Sequence, residues 1–365
     1  MSRVFLAAAR RSAVVPRGGA FAALALHDLA APVIAGALGD AGLAPDRVDE
    51  LIVANALGAG GNPARLAALA AGLPQGVAGL SIDRQCAGGL DALLLGAALI
   101  GAGQHDIVVA GGVESYSRRP LRLRTFADGR PPQAYDAPAF SPFPDRDPDM
   151  AEAADLLGRQ LGISRSEQDL WAVESHRKAR AAAPRLAAEI TPIAGIAQDP
   201  FARDLTPRLA ARAQIVTGDI TAANMAVAAD AAAFCVLVSE RFAAPGAIEL
   251  IGGATLGDDP AMPGTAPVPA IARALSRAGL RPRDLARSEV MEAFAVQAIA
   301  CQRLAGLDPA TMNVGGGSLA RGHPIGASGA ALAVRLYHEL RSGGGAGLAA
   351  IAAAGGIGTA LLLQS

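Results

Sequence analysis

Apolar positions along this chain fall into two textures, short unbroken runs and longer helical stripes, and their order occurs twice. The stretch Pro32-Val-Ile-Ala-Gly-Ala-Leu-Gly-Asp-Ala-Gly-Leu-Ala-Pro-Asp-Arg-Val predicts an amphipathic helix stopped by a glycine and then a proline. Pro269-Ala-Ile-Ala-Arg-Ala-Leu-Ser-Arg-Ala-Gly-Leu-Arg-Pro-Arg-Asp-Leu predicts the same. Each leads to a short apolar run, Leu51 to Ala54 and Glu289 to Met291, of the kind a buried strand makes. Further on, Asp106-Ile-Val-Val-Ala-Gly-Gly-Val and Ala350-Ile-Ala-Ala-Ala-Gly-Gly-Ile match again, as strands running into a glycine pair. Helical segments beginning at Cys86 and near Gly326 hold corresponding places. One strand and helix order used twice predicts an α/β fold of two similar halves packed on one another.

The halves are unequal: 1–245 and 246–365. The excess is an insertion at about 115–217. Arg118 to Asp149 is rich in Pro, Arg and Asp and loses periodicity, whereas Ser164 to Ala182 predicts a helix capped by Ser164 with Glu167 three residues on. Beyond the insertion, Ala232 to Ser239 predicts a strand. A segment inserted on the rim of a two-halved core suits a lid or a substrate-binding domain.

Composition narrows the class. The 365 residues suffice for a full core, and a formal charge of −1 gives no electrostatic case for nucleic acid or an anionic membrane. Gly343 to Leu363 is uncharged and long enough to suggest a membrane span, but its glycines point to strand, turn and strand. The apolar run Val4 to Ala9 is broken by Arg10 and Arg11, so no secretory signal forms. Three widely spaced cysteines, Cys86, Cys235 and Cys301, fit neither a disulfide framework nor a zinc site and suit a reducing cytoplasm.

Two segments carry candidate chemistry. Asn313 to Gly329 places His323 among glycines, with Pro324 stiffening the turn just before a helix. Cys86 stands between the apolar run Val77 to Ile82 and the start of a helix, where the helix dipole is expected to lower the thiol pKa. A thiol from one half and an imidazole from the other predict a Cys/His site of covalent catalysis at the seam. Cys235 and Cys301 read as core residues.

Through the Cys86 block, the Gly315 to Gly329 block and Glu292-Ala-Phe-Ala, the chain resembles the thiolases, acyl-CoA acyltransferases of the thiolase superfamily, over nearly its whole length. The resemblance implies a five-layered αβαβα core of duplicated halves with an inserted loop domain. It implies acyl-CoA and CoA as partners, a coenzyme A thioester as substrate with no cofactor besides, and a homodimer or homotetramer. By the same resemblance, Cys86 carries the acyl group and His323 is its base. The oxyanion is met by backbone N–H groups of Cys86 and of the turn at Gly355 and Gly356. The coenzyme lies along Met150, Arg203 and Ala226, the last in place of a serine. Two positions depart from the family pattern. The second catalytic cysteine, expected in a Cys-x-Gly-Gly-Gly-x-Gly turn, is Ala352, and the asparagine of Asn-Glu-Ala-Phe is Met291. Methionine cannot hold the water that this asparagine binds. Three activities are therefore weighed: carbon–carbon condensation or thiolysis, acyl transfer or hydrolysis without that step, and coenzyme A binding without catalysis.

Overall fold

The computed structural model describes residues 2–58 and 60–365. In the first half β1 (Val4–Arg11), α1 (Leu26–Ala41), β2 (Glu50–Ala54), α2 (Pro63–Ala70), β3 (Leu80–Ile82), α3 (Gly88–Gly101) and β4 (Ile107–Glu114) follow in order. The inserted segment contains α4 (Met150–Leu161) and α5 (Arg165–Leu186), after which β5 (Ala229–Ser239) returns to the sheet. The second half comprises β6 (Ile248–Gly257), α6 (Pro267–Ala278), β7 (Leu285–Val290), α7 (Ala295–Leu304), α8 (Ile325–Gly343), β8 (Ala346–Ala353) and β9 (Ile357–Gln364). The repeated helices α1 and α6 both end on a left-handed glycine, Gly42 at φ 63° and Gly279 at φ 68°. Only glycine takes that cap without strain, which is why the motif was visible in the sequence.

The strands lie in the order β7-β8-β9-β6-β1-β5-β4-β2-β3. In one half β2 is parallel to β4, β4 antiparallel to β5 and β5 antiparallel to β1. In the other, β7 is parallel to β8, β8 antiparallel to β9 and β9 antiparallel to β6. The same path is thus traced twice. The two copies meet where Phe5 and Leu6 pair with Glu249 and Ile248.

Strand side chains alternate between faces, and here both faces are buried. In β8, Ala349 and Ile351 join Leu361 and Leu363 of β9 in a central core with Leu90 and Leu93 of α3 and Leu332 and Leu336 of α8. Leu348, Ala350 and Leu362 face the other way, onto Ile271 of α6 and Ala298 of α7. In the first half, Val108 and Leu237 face the central helices, while Val109 and Val236 face Val33 and Ile34 of α1. The outcome is five layers, with α3 and α8 in the middle. Cys235 and Cys301 are free and buried within these cores.

The central helices approach closely because glycine lies at their contact. A Cβ on Gly329 would stand 2.6 Å from the Leu90 nitrogen, and one on Gly89 would overlap the Ala330 nitrogen. This brings both helix N-termini to one end of the seam. The inserted segment is tied to it through buried ion pairs. Arg11 of β1 binds Glu189 at 2.6 Å and Asp199 at 2.7 Å, and Arg335 of α8 also pairs with Glu189. Burial alone would raise the Glu189 carboxyl, but Arg11 and Arg335 outweigh it and bring the group down to about 2.

Ser164 caps α5, its hydroxyl accepting the Glu167 N–H at 3.3 Å. The helix runs beyond Ala182 and past Pro184 to Leu186, because Leu186 is buried and Arg185 pairs with Glu339. Gly343–Leu363 comprises the end of α8 and the β8-β9 hairpin. Among the described residues no helix is long and apolar enough to cross a membrane.

Candidate active site

Cys86 sits in a single 3-10 turn, Gln85–Ala87, between β3 and α3. Gln85 takes φ 49°, an uncommon value for a side-chain-bearing residue, and turns the chain sharply just before the thiol. His323 lies in an extended segment before α8. Its N–H donates to the Val227 carbonyl at 2.7 Å, which pins the loop to the chain entering β5. The two halves bring the reactive atoms together: Sγ of Cys86 and Nε2 of His323 are 3.1 Å apart.

The other imidazole nitrogen fixes the tautomer. Ser328 donates its hydroxyl to the Pro324 carbonyl at 3.0 Å, so its oxygen accepts from Nδ1–H of His323 at 2.6 Å. Nδ1 then carries the proton, and the bare Nε2 faces the thiol. Ser328 is one turn into α8 and belongs to the histidine motif, but its role depends on the helix bringing it back under the ring.

The charge state differs from the sequence expectation. Burial pushes the Cys86 thiol up to about 12, with Glu114 and Asp83 adding to it, although the N–H groups of Cys86 itself and of Ala354 pull the other way. Burial likewise brings His323 down to about 4. The helix dipole was expected to produce a thiolate, but desolvation of the sulfur outweighs it. Neutral thiol beside neutral imidazole is the resting pair, and the imidazole is present as a base at any pH above about 4. With His323 replaced by alanine, iodoacetamide labelling of Cys86 is accordingly expected to rise steadily from about pH 5 to about pH 9, as unaided thiolate forms only at high pH. A labelling plateau across the neutral range in that variant would instead show a thiol that ionises readily despite its burial.

Both groups open into a cavity of 230 Å³. Its wall is mainly apolar. Met150, Ala153, Ala154 and Leu157 of α4 line one side, and Ala226, Ala293, Phe294 and the Ala352–Ala354 stretch line others. Met150, Ala226 and Ala352 therefore join Cys86 and His323 in one space. Arg203 does not. Its guanidinium stacks over the Phe201 ring at 4.6 Å, and its backbone N–H donates to Nδ1 of His176 at 3.2 Å, outside the residues that line this cavity. Gly355 and Gly356, at φ 79° and 72°, shape the β8-β9 turn, but the N–H from this turn that reaches the sulfur belongs to Ala354. A Cβ on Gly356 would meet the carbonyls of Asp258 and Asp259 at 2.6 Å, so the tight turn requires glycine there.

Glu292 anchors the histidine loop from below. Its buried carboxylate accepts from Ser175 Oγ at 2.7 Å, Asn313 Nδ2 at 2.9 Å and Trp171 Nε1 at 3.1 Å. The loop fits over it only because residue 317 is glycine, since a Cβ there would overlap the carboxyl. Met291, next to it, is fully buried. Its thioether sulfur accepts a hydrogen bond from Ser318 Oγ at 3.2 Å. On β4, buried Glu114 accepts from Asn55 Nδ2 at 2.7 Å and from the N–H groups of Ala56 and Gly326, each at 3.0 Å, and so links β2 to the N-terminus of α8. Sequence reading passed over Ser328, Ser318 and Tyr116, the last of which also lines the cavity.

Comparison with known proteins agrees with this architecture. Family models for the thiolase N-terminal domain and the thiolase C-terminal domain match residues 4–241 and 245–365. An acetyl-CoA acetyltransferase of Cupriavidus necator is 38% identical over 392 residues, covering 100% of this chain and 100% of that protein. The crystal structure of a Bacillus anthracis acetyl-CoA acetyltransferase superposes with a TM-score of 0.94 at 34% identity, covering 100% of this chain and 99% of the other. Human mitochondrial 3-ketoacyl-CoA thiolase in complex with CoA gives a TM-score of 0.93 at 31% identity, covering 100% and 98%.

Proposed function

The chain belongs to the thiolase family, and from that premise we propose that it is an acyl-CoA acyltransferase that carries the acyl group on Cys86. The observation that supports this is the 3.1 Å contact between Sγ of Cys86 and Nε2 of His323, with the imidazole oriented by Ser328. Sγ attacks the thioester carbonyl while its proton passes to Nε2, so the buried sulfur never has to hold a full charge alone. The N–H groups of Cys86 and Ala354, already turned toward the sulfur, face the charge as it moves onto the acyl oxygen. Departing coenzyme A takes the proton back from His323. The apolar wall from α4 and Phe294 receives the acyl chain and the neighbouring part of the coenzyme, a reading that draws on the human relative solved with CoA.

A second reading is favoured by Ala352 and Met291. The cavity reaches the methyl of Ala352 where a second thiol would move the α-carbon proton, and Met291 offers a thioether where an amide would hold water. Acyl transfer to another nucleophile, or hydrolysis, needs neither group. Decay to a binding subunit is disfavoured by the intact thiol, base and orienting serine.

Mass measurement after incubation with acetyl-CoA tests the proposal. The parent is expected to gain one acetyl group on Cys86, and Cys86→Ala none. A parent whose mass stays unchanged, indistinguishable from Cys86→Ala, would remove covalent catalysis from consideration.

A further inference from the structure

The cavity beside Cys86 has an alanine where a second thiol is expected, and the asparagine position below it is a methionine whose sulfur faces Ser318. Among the described lining residues one carries a hydroxyl, Tyr116, which also borders a neighbouring cleft with Arg17 and Arg119. Tyr116 leaves the end of β4 two residues after Glu114, whose carboxylate is held by Asn55, Ala56 and Gly326. The next residue, Ser117, donates its N–H to Asp230 at 3.0 Å and its hydroxyl to the same carboxylate at 2.5 Å. On the other side, Ser115 Oγ accepts the Arg118 N–H at 3.1 Å. The backbone carrying the ring is thus fixed before and after it, as a preorganised donor requires.

The phenol oxygen makes no hydrogen bond to a described residue, and the Arg119 guanidinium lies 6.0 Å over the ring. Burial pushes it up, with Arg119 and Arg17 acting weakly the other way, so at neutral pH it keeps its proton and donates. With no hydrogen-bond partner of its own, the phenol is free to donate to a ligand that enters the cavity.

We propose that the Tyr116 hydroxyl donates a hydrogen bond to the thioester oxygen as Cys86 takes the acyl group. This rests on the reading that Cys86 is acylated. Atoms balance without a co-reactant: the Cys86 S–H bond breaks with the proton going to His323, the Sγ–carbon bond forms, and the carbonyl electron pair moves to oxygen. That oxygen is held by Tyr116 O–H and backbone N–H. Its collapse breaks the bond to the coenzyme sulfur, which recovers the proton from His323, while Tyr116 keeps its own.

Single-turnover acylation by acetyl-CoA, followed by rapid quench and intact mass, separates the outcomes. Tyr116→Phe is expected to acylate about 10²- to 10³-fold more slowly, the loss typical of one oxyanion donor, with little change in the half-saturating acetyl-CoA concentration. Its thermal midpoint is expected to equal or exceed that of the parent, because the hydroxyl removed has no partner in the folded protein. Acylation as fast as the parent, or a change in half-saturation alone, overturns the assignment while leaving Cys86 acylation standing. A variant that melts earlier, or does not fold, gives the hydroxyl a structural partner and overturns it too. Failure of the parent itself to be acylated removes both this inference and the reading beneath it.

Discussion

His323→Ala is expected to slow acylation of Cys86 at neutral pH by about 10²- to 10⁴-fold, the contribution of a positioned general base, with the fold retained. The size follows from the sulfur's surroundings. With the thiol pushed up to about 12, only about one molecule in 10⁵ carries a spontaneous thiolate at pH 7. The parent avoids that scarcity because Nε2, bare and 3.1 Å away, takes the proton as the bond forms. Imidazole is protonated only as pH falls through about 4, so the parent's acylation rate is expected to stay level from mildly acidic to neutral pH and to fall below that. In the variant the thiolate must form unaided, and its rate is expected to climb about tenfold per pH unit. The two profiles should converge at high pH. Equal rates for parent and variant at pH 7, or a level profile in the variant, would show that some other group takes the thiol proton.

Much of this site was legible because its parts carry local signals. Glycine and proline around His323, and a cysteine between an apolar run and a helix, mark chain turns that the backbone cannot make otherwise, and turns are readable residue by residue. The duplicated helices were visible through their Gly42 and Gly279 caps for the same reason. What escaped were properties set by packing between distant segments. The dipole at the start of α3 is local, but the burial that raises the Cys86 thiol comes from α4, α8 and the β8-β9 hairpin, which the segment around residue 86 does not encode. Arg203 reads as a solvated cation, and only the fold sets its guanidinium over the ring of Phe201, two residues back. Arg11, Glu189 and Arg335 are separated by long stretches of chain, and each alone reads as a solvated charge, yet together they bury the join between insertion and core. Tyr116 follows a strand as many tyrosines do, and only the shape of the cavity distinguishes it.

Replacing Ala352 by cysteine and Met291 by asparagine together is expected to raise acetoacetyl-CoA thiolysis by about 10⁴- to 10⁷-fold, if an acid/base and an oxyanion donor contribute independently. Groups acting on one transition state seldom combine so simply, so the single variants set the scale. Ala352 pairs with Gly358 across the β8-β9 hairpin and already faces the cavity, so the added sulfur extends into existing space near Cys86. Met291 is harder to exchange. It is fully buried in the central core, and an amide there requires partners, of which Ser318 Oγ, now donating to the thioether, is the nearest at hand. Ala352→Cys alone is therefore expected to recover proton transfer at the α-carbon without loss of stability. Met291→Asn alone is expected to melt earlier, because an amide replaces a close-packed thioether. Acylation of Cys86 serves as the internal control, since neither substitution touches the thiol, the imidazole or Ser328. If the double variant acylates normally yet cleaves acetoacetyl-CoA no faster than the parent, the missing cysteine and asparagine are not what limits carbon–carbon chemistry. If the parent already cleaves it briskly, the cavity has its own means of moving that proton, and the non-condensing reading is eliminated.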